Sequence, residues 1–374
     1  VAILVFSISA LLVLWVLFGY PLVLHLLASR FARPVHKSEW TPDVSVLLAV
    51  KNGERYLRAK LETLLALDYP AGRMRILVLS DGSTDGTAGI AREFSDRGVE
   101  LLELPAGGKC EALNAGLRAA TGEVLFYTDV RQDLAPGSLR ELTACLADPE
   151  VAVVSGELII RGAESKEAAN VGLYWRYEKW IRKNLSRLDS IHGATGCIYA
   201  MKREYAVELP AEALLDDMHQ PLAAFFEGKR LVFEDKARAY DYPTQLDAEF
   251  KRKVRTLAGN YQILGAYPRL LGPGNRMWLH FVSHKVGRLV MPFALIALLI
   301  SSVFLPEPWN WGLLGAQLAF YLSAGLDPWL PESFPLKRIT SPARVFVVLM
   351  AASFCAASIL FVPGRRFWTE TRAS

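Results

Sequence analysis

The chain has 374 residues, 52% of them hydrophobic, with 42 basic against 38 acidic side chains and a formal net charge of +4. So slight an excess, with the cations gathered beside apolar runs, does not imply a nucleic-acid partner. The length allows two domains, and the four cysteines (Cys110, Cys145, Cys197, Cys355) show no metal-ligand spacing and read as reduced thiols.

Residues 1–29 carry one ionisable side chain, His25, and are long enough to cross a bilayer core of ~30 Å. With no basic start or small-residue cleavage site, they read as a spanning helix rather than a signal peptide, although the absent initiator Met suggests a trimmed or processed start. A loop with Pro34 and Pro42 leads to an apolar strand at 44–50, then Lys51-Asn-Gly-Glu54 and a helix through Leu67 that Asp68-Tyr-Pro70 stops. A second buried strand at 76–79 ends in Ser80-Asp81-Gly82 and gives way to a helix over 87–97. A strand at 99–104, a helix at 110–120 and a strand at 123–127 continue the alternation. The fold class expected is therefore α/β, a Rossmann-like, mostly parallel sheet with helices on both faces.

Ligands of such sheets sit beyond the carboxyl ends of the strands. Asn52 and Glu54 follow the first strand there, and Asp81, Ser83, Thr84 and Asp85 follow the second. Gly107-Gly108-Lys109 precedes Ala112-Leu-Asn114-Ala-Gly116, Asp129 follows the 124–127 strand, and Asp133 is one turn on. Singly, these residues also suit a turn, a helix cap or a solvated lysine.

In this order, Asn-x-Glu, Asp-Gly-Ser-Thr-Asp, Gly-Lys-x-x-x-Leu-Asn-x-Gly and Thr-Asp resemble the membrane-integrated family 2 inverting glycosyltransferases, whose catalytic domain is the GT-A fold. Apolar runs on both sides narrow the likeness to the branch of cellulose, hyaluronan and poly-N-acetylglucosamine synthases. The resemblance spans roughly 44–256. It implies that Asn52, Glu54, Asp81, Lys109, Asn114, Asp129 and Arg131 bind a nucleoside-diphosphate sugar, UDP-linked in most of the family. It implies further that Gly193, Thr195, Gly196 and Asp216 lie on the acceptor side, and that Asp217 is the general base, assisted by Asp129 and Arg255. An isolated Asp-Asp would otherwise read as the acidic start of a helix.

Two departures stand out. The family's Asp-x-Asp is here Asp129-Val130-Arg131, so Mg²⁺ or Mn²⁺ is expected on Asp129, alone or with Asp133, unless Arg131 supplies the charge itself. The family's Gln-x-x-Arg-Trp is here Arg252-Lys-Val-Arg255-Thr256, which keeps the arginine and lacks the aromatic platform. Processive polymer synthesis and single transfer therefore both stay open. Lys251 to Arg255 could equally be a basic helix against anionic lipid.

Further apolar runs at 286–305, 311–326 and 344–362 complete the chain. The expected organisation is an N-terminal transmembrane helix at 1–30, a cytosolic GT-A domain at 41–265, an interfacial segment at 266–285, about three membrane helices at 286–362 and a basic tail at 363–374. The positive-inside rule puts Arg30, Arg33, Lys37, Lys285, Arg288, Lys337, Arg338 and Arg344 on the cytosolic side of an inner membrane. Four crossings would leave Arg365, Arg366 and Arg372 outside, so one late segment is expected to be re-entrant or interfacial. His284, Lys285 and Arg288 read as snorkelling or topology-setting. Tyr174, Tyr177, Trp180 and Ile181, at helical spacing, read as core before sugar platform. The expected function is an EC 2.4-type hexosyl transfer to a saccharide or lipid-linked acceptor in cell-surface polysaccharide synthesis. Lipid and other export subunits are the expected partners. The alternative is a non-catalytic sugar-nucleotide-binding or channel subunit.

Overall fold

β1 (Val44–Val50) is apolar at nearly every position because both of its faces are covered, and it is the central strand of the parallel half of the sheet. The computed structural model describes residues 1–161, 166–242, 246–331, 333–364 and 366–367, without the side chains of 166–175 and 246–248. The chain divides into two compact units, one made of 31–161 with 185–242 and the other of 1–30, 162–184 and 243–374.

The first unit holds β1, β2 (Met74–Asp81), β3 (Val99–Leu104), β4 (Val124–Tyr127), β5 (Asp133–Leu134), β6 (Val151–Ile160), β7 (Tyr199–Lys202) and β8 (Arg230–Asp241). They lie in the order β3-β2-β1-β4-β7-β6-β8-β5. The first four run parallel; β7 is antiparallel to both β4 and β6, β6 runs parallel to β8, and β5 is antiparallel to β8. The sheet is thus mixed, and its second half goes beyond the expected βα alternation. Helix Glu54–Leu65 buries Leu57, Leu61 and Leu64 at i, i+4 and i+7. Leu48, Val78 and Phe126 join them in one core. Burial of each such side chain contributes about 1.5–3 kcal/mol.

Among the described residues of the other unit, three helices are long and apolar enough to cross a membrane: Ala2–Arg30, Trp278–Val303 and Lys337–Leu360. The second begins at Trp278, inside the segment expected to be interfacial. The 311–326 run is a helix, Trp309–Leu326, that does not join the three. The first two helices pack closely, each through a π-helical turn (Trp15–Gly19 and Val282–Val286), with Trp15 Nε1 donating to Ser283 Oγ at 3.0 Å. Only a glycine fits at 287, where a Cβ would stand 2.8 Å from Val16 Cγ2.

Arg288 and His284 do not snorkel. Arg288 Nη2 lies 2.5 Å from Glu178 Oε2, and buried His284 lies against Tyr20 with ring centroids 6.2 Å apart, because an unpaired charge among apolar helices is costly. Asp327, fully buried, lies 3.3 Å from Lys337 and 3.5 Å from Arg344, so two of the counted cations are paired. Ile181 is buried and Trp180 partly exposed; the side chain of Tyr174 lies outside the described residues, as do Arg365 and Arg372.

Candidate active site

The loop after β1 and the loop after β2 are stitched together by their own polar groups. Asn52 takes a left-handed conformation (φ 51°), which brings its Oδ1 to the Thr84 N–H at 2.8 Å. Its own N–H donates to Ser83 Oγ at 3.1 Å. Glu54 N–H donates to Asp85 Oδ2 at 3.0 Å, and Glu54 Oε2 accepts from Gly86 N–H at 2.9 Å. Asn52 and Glu54, expected to meet the donor nucleotide, therefore shape the rim formed by these two loops.

Asp81 closes β2 and is 3% exposed. Its Oδ1 accepts from the N–H groups of Gly107 and Gly108 at 2.7 and 2.8 Å, and its Oδ2 lies 3.5 Å from Lys51 Nζ. Burial would raise its carboxyl, but these donors outweigh it and hold the group below the usual carboxylate range. The loop it grips turns at Gly108 (φ +94°), a conformation that favours glycine, and opens helix Lys109–Ala119.

Lys109, next in sequence, joins this loop to the rest of the site. Its Nζ lies 3.1 Å from Asp129 Oδ1 and 3.2 Å from Asp216 Oδ2. Burial alone would weaken the ammonium, yet Asp129, Asp216 and Asp217 outweigh it and hold its pKa well above that of an ordinary lysine. Asp216 is buried, whereas the Asp129 side chain is 40% exposed and faces solvent. Asn114 sits one turn along the same helix, but its amide donates to Leu209 O at 2.9 Å and accepts from Leu209 N–H at 2.7 Å. It fastens the 209 segment to this helix.

Asp216 and half-buried Asp217 begin helix Asp216–Phe226. The 193–196 loop lies on that helix start: Ala194 N–H donates to Asp217 O at 2.7 Å, and a Cβ at Gly196 would stand 3.2 Å from Asp217 Oδ2. The Asp217 carboxylate thus has a bare backbone beside it. Thr195 is pinned by Ser155, whose Oγ accepts the Thr195 N–H at 2.9 Å. The base of the site is a stacked pair, Tyr127 and Tyr199, with centroids 4.4 Å apart and both rings buried. Burial pushes both phenols up.

The turn carrying Asp129 rests on a residue that motif reading missed. Buried Lys60 donates to Thr128 Oγ1 and to Gln132 O, each at 2.7 Å, and burial lowers its pKa to about 8. The signal was legible: Lys60 falls three residues after Leu57, on the apolar face of its helix. Arg131 lies 2.5 Å from Asp241 Oδ2, which also accepts from Gln132 Nε2 at 2.8 Å. Among the described residues no cluster of three or more His, Cys, Asp or Glu side chains could cage a metal ion. A divalent ion on half-buried Asp129 would therefore need phosphate and water oxygens to complete its shell. Arg255, with Arg252 and Thr256, belongs to the other unit, on helix Leu246–Ala266; the Thr256 hydroxyl donates back to Arg252 O at 2.9 Å.

Residues 45–209 match the family model described as Glycosyl transferase family 2. A beta-monoglucosyldiacylglycerol synthase of Nostoc sp. is 30% identical over 150 residues, covering 38% of this chain and 32% of that one. A poly-beta-1,6-N-acetyl-D-glucosamine synthase of Staphylococcus epidermidis is 24% identical over 238 residues, covering 59% and 55%. The chain thus spans about half or less of these curated relatives. A mannosyltransferase from Pyrobaculum calidifontis, solved with GDP-Man and Mn²⁺, superposes with a TM-score of 0.73 at 22% identity, covering 95% of this chain and 99% of that one. This likeness establishes a shared GT-A fold.

Proposed function

Because the chain carries a glycosyl transferase family 2 domain over residues 45–209, we propose that it is an inverting transferase moving a sugar from a nucleoside diphosphate to a saccharide or lipid-linked acceptor. The observation that carries this reading is the meeting of Lys109 with Asp129 and Asp216, with Asp217 next along the same helix start. A cation faces the place where a diphosphate would leave, and a carboxylate beside a bare glycine loop faces the place where an acceptor would enter.

Asp217 accepts the proton of the acceptor hydroxyl as that oxygen attacks the anomeric carbon, since a neutral sugar hydroxyl is a poor nucleophile. The glycosidic bond to the diphosphate breaks on the opposite face, which inverts the configuration. Lys109 balances the charge that develops on the departing oxygen, and the N-terminal turn of its helix adds N–H donors. Asp216 holds Lys109 in place. A divalent ion, when bound, would sit on Asp129 and neutralise diphosphate oxygens. Asp81 fixes the Gly107–Gly108 loop so that Lys109 is placed before the donor arrives, and the Asn52–Glu54 rim receives the base and ribose.

The relatives named above point to acceptors of two kinds, diacylglycerol lipids in one and a growing polysaccharide in the other. With three helices suited to crossing a bilayer, the chain is proposed to be a multi-pass inner-membrane protein with its catalytic unit in the cytosol. Purified protein in lipid nanodiscs is to be given radiolabelled UDP- and GDP-sugars with a lipid extract or oligosaccharides. Transfer from one donor, lost in Asp217→Asn, supports the reading. Donor binding with neither transfer nor hydrolysis would favour a non-catalytic subunit instead.

A further inference from the structure

Three segments of the helical unit bring charged and polar side chains together among apolar helices. Glu178 comes from the 162–184 stretch, Tyr20 from the Ala2–Arg30 helix, and His284 and Arg288 from the Trp278–Val303 helix. Glu178 Oε2 lies 2.5 Å from Arg288 Nη2 and 3.6 Å from His284 Nε2, so one carboxylate oxygen faces both. The other, Oε1, accepts from no described residue. Tyr20 is wholly buried, with its ring against His280 and His284. Its hydroxyl has no hydrogen-bond partner among the described residues, although the charges of Arg288 and Glu178 act on it. A buried hydroxyl left so is costly, and ionisable groups among apolar helices mark sites of function. A π-helical turn lies beside the cluster in each long helix, Trp15–Gly19 just before Tyr20 and Val282–Val286 around His284, and such turns occur frequently at functional sites. The side chains of Glu178 and Arg288 are 17% and 20% exposed, so the cluster is reached from outside the chain.

The two open groups define what fits. Glu178 Oε1 can only accept, and the Tyr20 phenol can donate. An anion would be repelled by Oε1, and a cation would meet Arg288 and Lys285, whose charges already act on this carboxylate. A neutral hydroxyl satisfies both groups at once. The molecules that surround such helices are lipids, so the hydroxyl is carried on an apolar tail. We propose that this cluster binds the free hydroxyl of a neutral membrane lipid, which donates a hydrogen bond to Glu178 Oε1 and accepts one from Tyr20. The proposal goes beyond sugar transfer and rests on reading Ala2–Arg30 and Trp278–Val303 as membrane spans.

The test places the full chain in phosphatidylcholine nanodiscs without nucleotide sugar, adds dioleoylglycerol or its acetyl ester, and reads retention by native mass spectrometry. The free alcohol should be held roughly 10- to 100-fold more tightly than the ester, the weight of a hydrogen bond to a carboxylate. Tyr20→Phe removes one oxygen and keeps the ring; it should weaken retention of the alcohol roughly fivefold and leave the ester as it was. Glu178→Gln and Arg288→Gln, made together so that neither charge is stranded, should erase the difference between the two lipids. Equal retention of alcohol and ester by the native chain would overturn the proposal, and so would displacement of the lipid by glycerol, which would make the site one for soluble polyols. A Tyr20→Phe chain that melts with the native one and keeps its full preference for the alcohol would overturn it as well. Because the native chain is compared with itself, misfolding of a variant cannot mask the first result. Failure of sugar transfer leaves these readings untouched, since no donor is present. Extraction of the chain from membranes by alkaline carbonate would overturn the membrane reading and the lipid site with it.

Discussion

The Lys109 ammonium stands 3.1 Å from the Asp129 carboxylate, linking the start of one helix to the end of β4. Buried Asp216 completes the bridge at 3.2 Å. Lys109→Ala should leave Asp216 without its cation and cost about 1–3 kcal/mol, less than a fully buried pair because solvent reaches Lys109 and Asp129. Adding Asp216→Asn should recover most of that stability without restoring donor affinity. Thermal melts with donor titrations separate the two effects, and a full return of donor affinity would argue against a phosphate role for Lys109.

Asp217→Asn should bind donor as the native chain does and slow transfer by roughly 10²–10⁴-fold, the usual weight of a general base. Single-turnover rates at saturating donor measure this. Near-native turnover would remove Asp217 from the mechanism.

Turnover should stop in chelator and return with Mn²⁺ or Mg²⁺. Arg131 is held by Asp241 and would have to leave that partner to serve the diphosphate. Arg131→Met should therefore lower the melting temperature more than it lowers kcat. Full activity in chelator, together with loss of activity in Arg131→Met, would reverse the assignment.

Lys60 gives the protein a signature in alkaline solution. Burial lowers its pKa from 10.5 to about 8 in the folded chain, so between those values the unfolded chain holds a proton that the folded one has dropped. Stability from this group therefore rises with pH across that window. Lys109 works in the opposite sense, because its raised pKa means that its contribution is lost only as pH climbs beyond the unfolded value of 10.5. Melting temperatures of native protein and Lys60→Met, followed from pH 7.5 upward, should differ in slope, the variant lacking the rising component. Parallel curves would show that Lys60 does not titrate there.

Asp81 predicts the acid limb. Its depressed folded pKa contributes stability that is present above the ordinary carboxylate value and is lost as pH falls through the folded one. Asp81→Asn should flatten the loss of stability below about pH 4 and loosen the glycine loop, which donor titration detects as weaker binding.

The parallel half of the fold was legible because β1 and β2 are covered on both sides and so read as unbroken apolar runs. β8 was not, since Glu234, Asp235, Lys236 and Arg238 interrupt its pattern; Glu234 is nonetheless buried and lies 2.5 Å from Lys37. Motif order named Lys109, Asp129, Asp216 and Asp217, which the fold brings to one place. It could not foresee that Asn114 would turn to Leu209, or that Arg131 would find Asp241 110 residues away. Spacing records which residues share an edge, whereas partners across the sheet depend on register. The apolar helix starts at Trp278, ahead of the run read at 286–305, since His280, His284, Lys285 and Arg288 dilute hydropathy there, and pairing with Glu178 hides part of that charge.

The two units alternate along the chain, the sheet-bearing one being interrupted between 161 and 185 by residues that belong to its neighbour. No single pair of protease nicks can release the catalytic half intact, because a fragment from 31 to 242 still drags the 162–184 stretch with it. During synthesis the sheet cannot close until β7 and β8 leave the ribosome, by which time the 162–184 stretch of the neighbouring unit has already been made.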